Sequence, residues 1–145
     1  MVSAHRDATA PKTILLVEDD ETLRATISTI LRRDGYRVVA AGNGAEALGL
    51  LDESRPDLIL SDRMMPTMSG FELLEVIRRD RPDLAPVPFV FLTALGDRRD
   101  MMATASLKPA AYLTKPVRAR ELCATLGFLL GVRDRPAPAV ERAPT

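Results

Sequence analysis

Four consecutive carboxylates at positions 18–21 directly follow the apolar run LLV at 15–17. Two carboxylates about 4 Å apart repel each other by roughly 4 kcal/mol at an effective dielectric constant near 20. A folded site that holds several of them therefore needs a positive charge to offset the repulsion, or else the side chains must spread into water. Taken alone, the segment favours a solvated acidic strand end.

Other residues with useful chemistry also follow apolar runs along the chain. They are Asp62 after LILS, Thr93 and Ala94 after FVFL, and Lys115 and Pro116 after AAYLT. If these runs are parallel strands of one sheet, their carboxyl ends meet at one edge, where such sheets bind ligands. The set is suited to a divalent cation held by oxygen ligands, with the lysine and the threonine placed to bind an anion.

The segments between these residues indicate the elements that position them. Short β-like apolar runs alternate with helix-length amphipathic segments from position 13 onward. The runs are TILLV at 13–17, YRVVA at 36–40, DLILS at 57–61, PFVFL at 88–92 and AAYLT at 110–114. The predicted helices lie around 23–31, at 44–54, at 69–79 and around 122–130, with a weaker one at 97–106. Apolar strands that alternate with helices predict a doubly wound α/β domain, because each crossover helix packs back onto a parallel sheet.

Length and composition limit the classes of function. The 145 residues suit one domain, and 20 Lys and Arg balance 20 Asp and Glu, so net charge does not attract nucleic acid or an acidic membrane. The apolar runs are too short to cross a bilayer, and the first residues lack the apolar core of a signal peptide. The single cysteine, Cys123, suits a reducing compartment. We expect a cytoplasmic domain with no nucleic-acid partner and no membrane insertion.

Changes in composition indicate the domain boundaries. We expect residues 1–11, which hold the single histidine, to be a disordered lead and residues 12–131 to form the folded domain. Beyond these, residues 132–145 are rich in Pro and Ala and lose apolar periodicity, which is typical of a disordered tail. We expect no second folded domain and no DNA-binding segment after it.

Four segments together resemble the receiver domain of two-component response regulators, in the single-domain form of the chemotaxis regulators. They are LLVEDDE, LILSDRMMPTMSGFELL, FVFLTAL and AAYLTKPV, within roughly residues 12–131. Their combined order and spacing are specific, whereas any one of them would be a weak signal. The resemblance implies a flavodoxin-like (βα)5 fold with a five-stranded parallel sheet in the order 2-1-3-4-5. It also implies that a central aspartate accepts a phosphoryl group from a histidine kinase and that Mg²⁺ is required.

The resemblance implies a role for each acid. Asp62 would be the phosphoryl acceptor and, with Asp19, a direct ligand of Mg²⁺. Glu18 would bind the metal through water, and Met64 through its backbone carbonyl. The other two acids, at positions 20–21, would cap the first helix, where carboxylates are favoured by free N–H groups and the helix dipole.

The resemblance also implies roles for the residues that end the fourth and fifth strands. Thr93 and Lys115 would bind the other phosphoryl oxygens, although Thr93 alone could cap a loop and Lys115 alone could pair with Asp62. Ala94 would leave space for the phosphoryl group. Tyr112 matches the family's aromatic switch, which turns inward when the threonine moves onto the phosphoryl group. The alternative for Tyr112 is an edge-strand aromatic that is half buried by packing.

Two departures from the family pattern concern the phosphorylated state. Lys108-Pro109 stands where the family usually has Gly-Ala, so we expect an atypical turn before the fifth strand. Met64 and Leu95, two residues after Asp62 and Thr93, are both apolar. In the family these positions govern the access of water, so we predict a phosphoryl lifetime that is not especially short.

The leading interpretation is a receiver that binds a downstream effector protein after phosphoryl transfer from a sensor histidine kinase or phosphotransfer protein. It would catalyse its own phosphorylation and dephosphorylation without being a turnover enzyme. One alternative is a receiver-like interaction module that works without phosphate. A haloacid-dehalogenase-type phosphatase would need an Asp-x-Asp nucleophile pair, and Glu18 occupies its first position. Met101, Met102 and Leu107 are candidate partner contacts, although packing of a helix face explains them equally well.

Overall fold

Each apolar run forms a strand in the computed structural model, which describes residues 10–94, 105–132 and the backbone of residues 141–142. The strands are β1 (Thr13–Val17), β2 (Arg37–Ala41), β3 (Leu58–Asp62), β4 (Phe89–Thr93), β5 (Ala111–Thr114) and β6 (Glu141–Arg142). In these ranges the α-helices are α1 (Glu21–Arg33), α2 (Gly44–Ser54), α3 (Gly70–Asp80) and α4 (Ala119–Leu129). The first five strands lie within one residue of their predicted positions.

The sheet has the order β2-β1-β3-β4-β5-β6, and its first five strands are parallel. This confirms the predicted flavodoxin-like fold with strand order 2-1-3-4-5. The register sets Asp62 opposite Leu92 and Thr93 opposite Thr114. The polar residues that end β3 and β4 therefore lie at the same edge as the end of β5.

The sequence pattern did not predict β6. Arg142 pairs with Ala111, and Glu141 pairs with Tyr112, in antiparallel orientation. These two residues belong to the segment 132–145, for which we expected disorder, and a polar dipeptide has no alternation that would indicate a strand. The pairing covers part of β5, which would otherwise be an open edge.

The two faces of the sheet carry separate apolar clusters. On one face, Ile14 and Leu16 pack with residues of α1 and α4, and on the other, Leu15 and Val17 pack with residues of α2 and α3. All five residues of β1 are buried. Burial on both faces explains why this strand is almost entirely apolar rather than alternating.

The start of α1 divides the four acids into two groups. The Asp20 side chain accepts a hydrogen bond from the Leu23 N–H at 3.0 Å, and Glu21 lies in the first turn of the helix. Both positions match the prediction, and both place a carboxylate where helix N–H groups are free. Glu18 and Asp19 therefore remain outside the helix, at the end of β1.

The segment before β5 departs from regular helix, as Lys108-Pro109 predicted. Ala105–Leu107 forms a single 3-10 turn, and Lys108 has a φ of +55°, a left-handed value that is uncommon for a residue with a side chain. Arg78 Nε donates to the Leu107 carbonyl at 3.0 Å and holds this segment against α3. Leu107 packs on the α2 and α3 face of the sheet, which favours the packing interpretation of this residue.

Some predictions fall outside the described residues. They concern Met101 and Met102, most of the weak helix at 97–106, Leu95, and the lead at positions 1–9. Among the helices that are described, none has the length and apolarity that a membrane crossing needs.

Candidate functional site

Three acids meet at the carboxyl edge of the sheet. Glu18 and Asp19 follow β1, and Asp62 is the last residue of β3. One carboxylate oxygen from each lies within 4.8 Å of the others. Glu18 and Asp62 are buried, whereas Asp19 is exposed. The structure thus brings together the three carboxylates that were predicted to share a site, and leaves one of them facing solvent.

Lys115 supplies the positive charge that these acids need. Its Nζ donates to Asp62 Oδ2 at 3.0 Å and lies 3.3 Å from Glu18 Oε1. Its backbone N–H donates to the Thr93 carbonyl at 2.8 Å, which ties the end of β4 to the residue after β5. The Lys115-Pro116 peptide bond is cis. The pairing of Lys115 with Asp62 was one of the two predicted roles for this lysine.

Burial dominates the electrostatics of Glu18. It raises the pKa of this carboxyl to about 7, with a further contribution from the charge of Asp62. A hydrogen bond from the Asp20 N–H and the charge of Lys115 oppose this rise. For Lys115, burial alone would lower the pKa, but the hydrogen bond to Asp62 and the charges of Asp62 and Glu18 outweigh it and raise the pKa. The cluster therefore holds more negative charge than one lysine offsets comfortably.

The residues present fit a hard divalent cation. All three side-chain donors are carboxylates, the ligand type that Mg²⁺ prefers. Glu18 Oε1 is buried and has no hydrogen-bond partner among the described residues. Met64 lies in the loop after β3 with its side chain 63% exposed, so it is outside the core, and its carbonyl stays a predicted ligand.

The residues predicted for phosphoryl binding and switching lie on β4 and β5. Thr93 ends β4 and is buried, and Ala94 follows it in an exposed position. Tyr112 is 2% exposed and stacks on Phe91, with ring centroids 5.8 Å apart and planes 17° apart. The half-buried edge position considered for Tyr112 is therefore wrong, because the ring lies inside the α2 and α3 face of the sheet.

The loop from β3 to α3 closes tightly on the acceptor strand. The Gly70 N–H donates to the Arg63 carbonyl at 2.8 Å, and a Cβ on Gly70 would overlap the Asp62 carbonyl oxygen. Ser69 and Glu72 form a capping box that starts α3 at this point. Sequence reasoning assigned Gly70 to turn geometry and missed this close approach to the backbone of Asp62.

Sequence reasoning also missed Arg24. Its Nη1 donates to the backbone carbonyl of Glu18 at 2.9 Å. The available signal was position, since Arg24 lies one helical turn after the N-cap Asp20 and helix side chains point toward the N-terminus.

An open depression of about 400 Å³ borders the site between α1 and the segment after β5. Its lining includes Thr22 and Thr26 of α1 together with Lys115, Pro116 and Val117. The depression reaches the same lysine that contacts Asp62, so the acids are approached from solvent on this side.

Comparison with known proteins identifies the class to which this fold and site belong. The sequence profile described as response regulator receiver domain matches residues 14–127. The chain belongs to this family. Family membership removes the phosphatase alternative, whose nucleophile pair the sequence already lacked.

Relatives and solved structures agree with this assignment. The transcriptional regulatory protein AfsQ1 of Streptomyces coelicolor is 38% identical over 122 residues, which are 84% of this chain and 52% of AfsQ1. The phosphate regulon transcriptional regulatory protein PhoB of Pseudomonas aeruginosa is 36% identical over 130 residues, which are 88% of this chain and 56% of PhoB. The chain thus spans about half the length of these relatives. The chemotaxis protein CheY4 of Vibrio cholerae has a similar structure, with a TM-score of 0.77 and 30% identity over 83% of this chain and 99% of CheY4.

Proposed function

We propose that Asp62 accepts a phosphoryl group from the phosphohistidine of a sensor histidine kinase or phosphotransfer protein, and that this changes the binding of a downstream effector protein. The reaction would require Mg²⁺ and take place in the cytoplasm. The observation that carries the proposal is the position of Asp62, buried at the edge of the sheet between two further acids and Lys115. This is the arrangement of charge that phosphoryl transfer to a carboxylate needs.

The chemistry follows from the groups that each side chain offers. An Asp62 carboxylate oxygen would attack phosphorus, the bond from phosphorus to the donor's imidazole nitrogen would break, and the neutral histidine would leave with a proton from solvent. Lys115 would move from Asp62 Oδ2, 3.0 Å away, to a phosphoryl oxygen. Mg²⁺, held by Glu18, Asp19, Asp62 and the Met64 carbonyl, would supply charge neutralisation and in-line orientation.

A change of conformation would start from the residue beside the acceptor. The Thr93 hydroxyl would donate to a phosphoryl oxygen and so draw the end of β4 toward Asp62. The Thr93 carbonyl accepts from the Lys115 N–H, so this movement would be felt at the end of β5. Tyr112 lies on β5 against Phe91 of β4 and would transmit the change to the surface of the sheet.

The proposal is tested by intact mass spectrometry after incubation with acetyl phosphate and Mg²⁺. We expect one phosphoryl group on the wild type and none on Asp62→Asn or on a wild-type sample with EDTA. Asp80→Asn is the matched control, since Asp80 is an exposed aspartate that ends α3 and pairs with Arg79. An unmodified wild type that still binds Mg²⁺ would instead favour the phosphate-independent interaction module.

A further inference from the structure

Both backbone groups of Glu18 are held in place. The Glu18 N–H donates to the Ala41 carbonyl at 3.1 Å, which continues the pairing of β1 with β2 by one residue. The Glu18 carbonyl accepts from Arg24 Nη1 at 2.9 Å. The carbonyl belongs to the peptide unit that links Glu18 to Asp19, so the arginine holds the plane from which the Asp19 side chain departs.

The helix presents Arg24 to this carbonyl. The Arg24 N–H donates to the Asp20 carbonyl at 2.8 Å, so the backbone of Arg24 is fixed within the first turns of α1. Its side chain runs back over the start of the helix, and the guanidinium is partly buried. The strand that carries the acids and the helix after them are thus joined by a side chain as well as by the connecting loop.

A glycine on the neighbouring loop leaves room for the guanidinium. A Cβ on Gly42, which directly follows β2, would lie 3.2 Å from Arg24 Nη1. Glu46 Oε1 accepts from the Gly42 N–H and fixes the backbone of this loop. The contact between Arg24 and Glu18 therefore depends on a second element, which is independent of the β1 to α1 connection.

We propose that Arg24 is a positioning residue for the metal site. By holding the Glu18 carbonyl it aims the Asp19 carboxylate at the space shared with Glu18 and Asp62. Arg24 contacts neither the metal nor the phosphoryl group. The inference rests on the proposed function, because it assumes that these carboxylates bind Mg²⁺.

Charge and positioning predict opposite results when Arg24 is removed. Loss of a nearby positive charge would, by Coulomb attraction alone, tighten the binding of a divalent cation to the acids. Loss of an outer hydrogen bond that orients a ligand typically weakens metal binding by about 10- to 100-fold. The sign of the change in Mg²⁺ affinity therefore distinguishes the two effects.

The experiment is calorimetric titration of the full chain with Mg²⁺ at about pH 8, above the pKa of about 7 of Glu18. Arg24→Met is expected to bind Mg²⁺ about tenfold more weakly than the wild type. Arg24→Lys keeps a donor and is expected to recover most of this loss. Arg32→Met is the matched control, because Arg32 also lies on α1 and also donates to a backbone carbonyl, that of Val38, away from the acids.

The outcomes separate the inference from the proposed function. Unchanged or tighter Mg²⁺ binding by Arg24→Met would overturn the positioning role, as would an equal weakening in Arg32→Met. A wild type that binds no Mg²⁺ would overturn the metal site itself and the inference with it. Chemical denaturation of each variant shows whether it is folded during the titration, so that a lost fold is not mistaken for a lost site.

Discussion

The two edges of the parallel sheet treat charge in opposite ways. At the amino edge, Arg81 pairs with Asp52 at 3.0 Å and with Asp83 at 2.9 Å, and these two acids are largely exposed. At the carboxyl edge, three acids share one lysine, and two of the acids are buried. Exposed pairs cost and contribute little, whereas buried like charges are expensive to maintain. The carboxyl edge holds a concentration of charge that a fold does not need for itself, which is typical of a functional site.

Removal of the lysine is expected to have the largest effect on this contrast. Lys115→Met would take away the only cation described in contact with Asp62 and Glu18, and the rate of phosphorylation by acetyl phosphate should fall about hundredfold, as for other preorganised donors. The rate is followed by intact mass over time at saturating Mg²⁺. A wild-type rate in this variant would show that the lysine only neutralises the acids.

The pH dependence of stability tests the buried charge directly. Glu18 takes up its proton at a pKa of about 7 in the folded protein and at the ordinary value of 4.5 when unfolded. Between these values the folded state binds more protons, so the free energy of unfolding should fall as pH rises, by about 3 kcal/mol in total. Urea denaturation in EDTA at several pH values measures this fall. Glu18→Gln should remove the slope, and a slope that persists would assign it to another group.

A methyl group at the start of α3 tests how closely the acceptor strand is packed. Gly70→Ala places a Cβ against the Asp62 carbonyl and should lower the free energy of unfolding by about 2 kcal/mol. Gly49→Ala is the matched control, since a Cβ there contacts nothing within 4 Å and alanine favours the α2 helix by up to about 1 kcal/mol. Equal effects at the two positions would contradict the close approach.

The smallest effect is expected at the amino edge. Arg81→Met removes both of its exposed ion pairs, but solvent screens them, so the phosphorylation rate should stay within about twofold of the wild type. The assay is the one used for Lys115→Met. A loss comparable with that of Lys115→Met would mean that the two edges are coupled through α3.

The parts of the fold and site that were predicted have strong local signals. Apolar runs, helix periodicity and strand-end residues placed Asp62 and Lys115 correctly, because parallel strands bring their carboxyl ends together. The helix cap at Asp20 was predicted for the same reason, since it depends on neighbouring residues only. Local sequence is therefore sufficient wherever the site is built from the ends of regular elements.

The missed features depend on contacts between distant segments. Arg24 and Gly42 meet only because α1 and the loop after β2 are adjacent in the folded chain. The depth of Tyr112 depends on its stacking with Phe91 of the next strand, which periodicity does not show. The pairing of β6 joins residues 141–142 to β5 without any apolar pattern. Each is a tertiary contact whose energy lies in packing rather than propensity.

The pairing of β6 with β5 also bears on which molecules can associate with this edge of the sheet. Any protein that adds its own strand beside Ala111 and Tyr112 must first displace Glu141 and Arg142. Because these residues belong to the same chain, dilution does not weaken their competition, whereas it does weaken the binding of a separate protein. Slow amide hydrogen exchange on the outer side of β5, independent of protein concentration, would be the signature of this internal competitor.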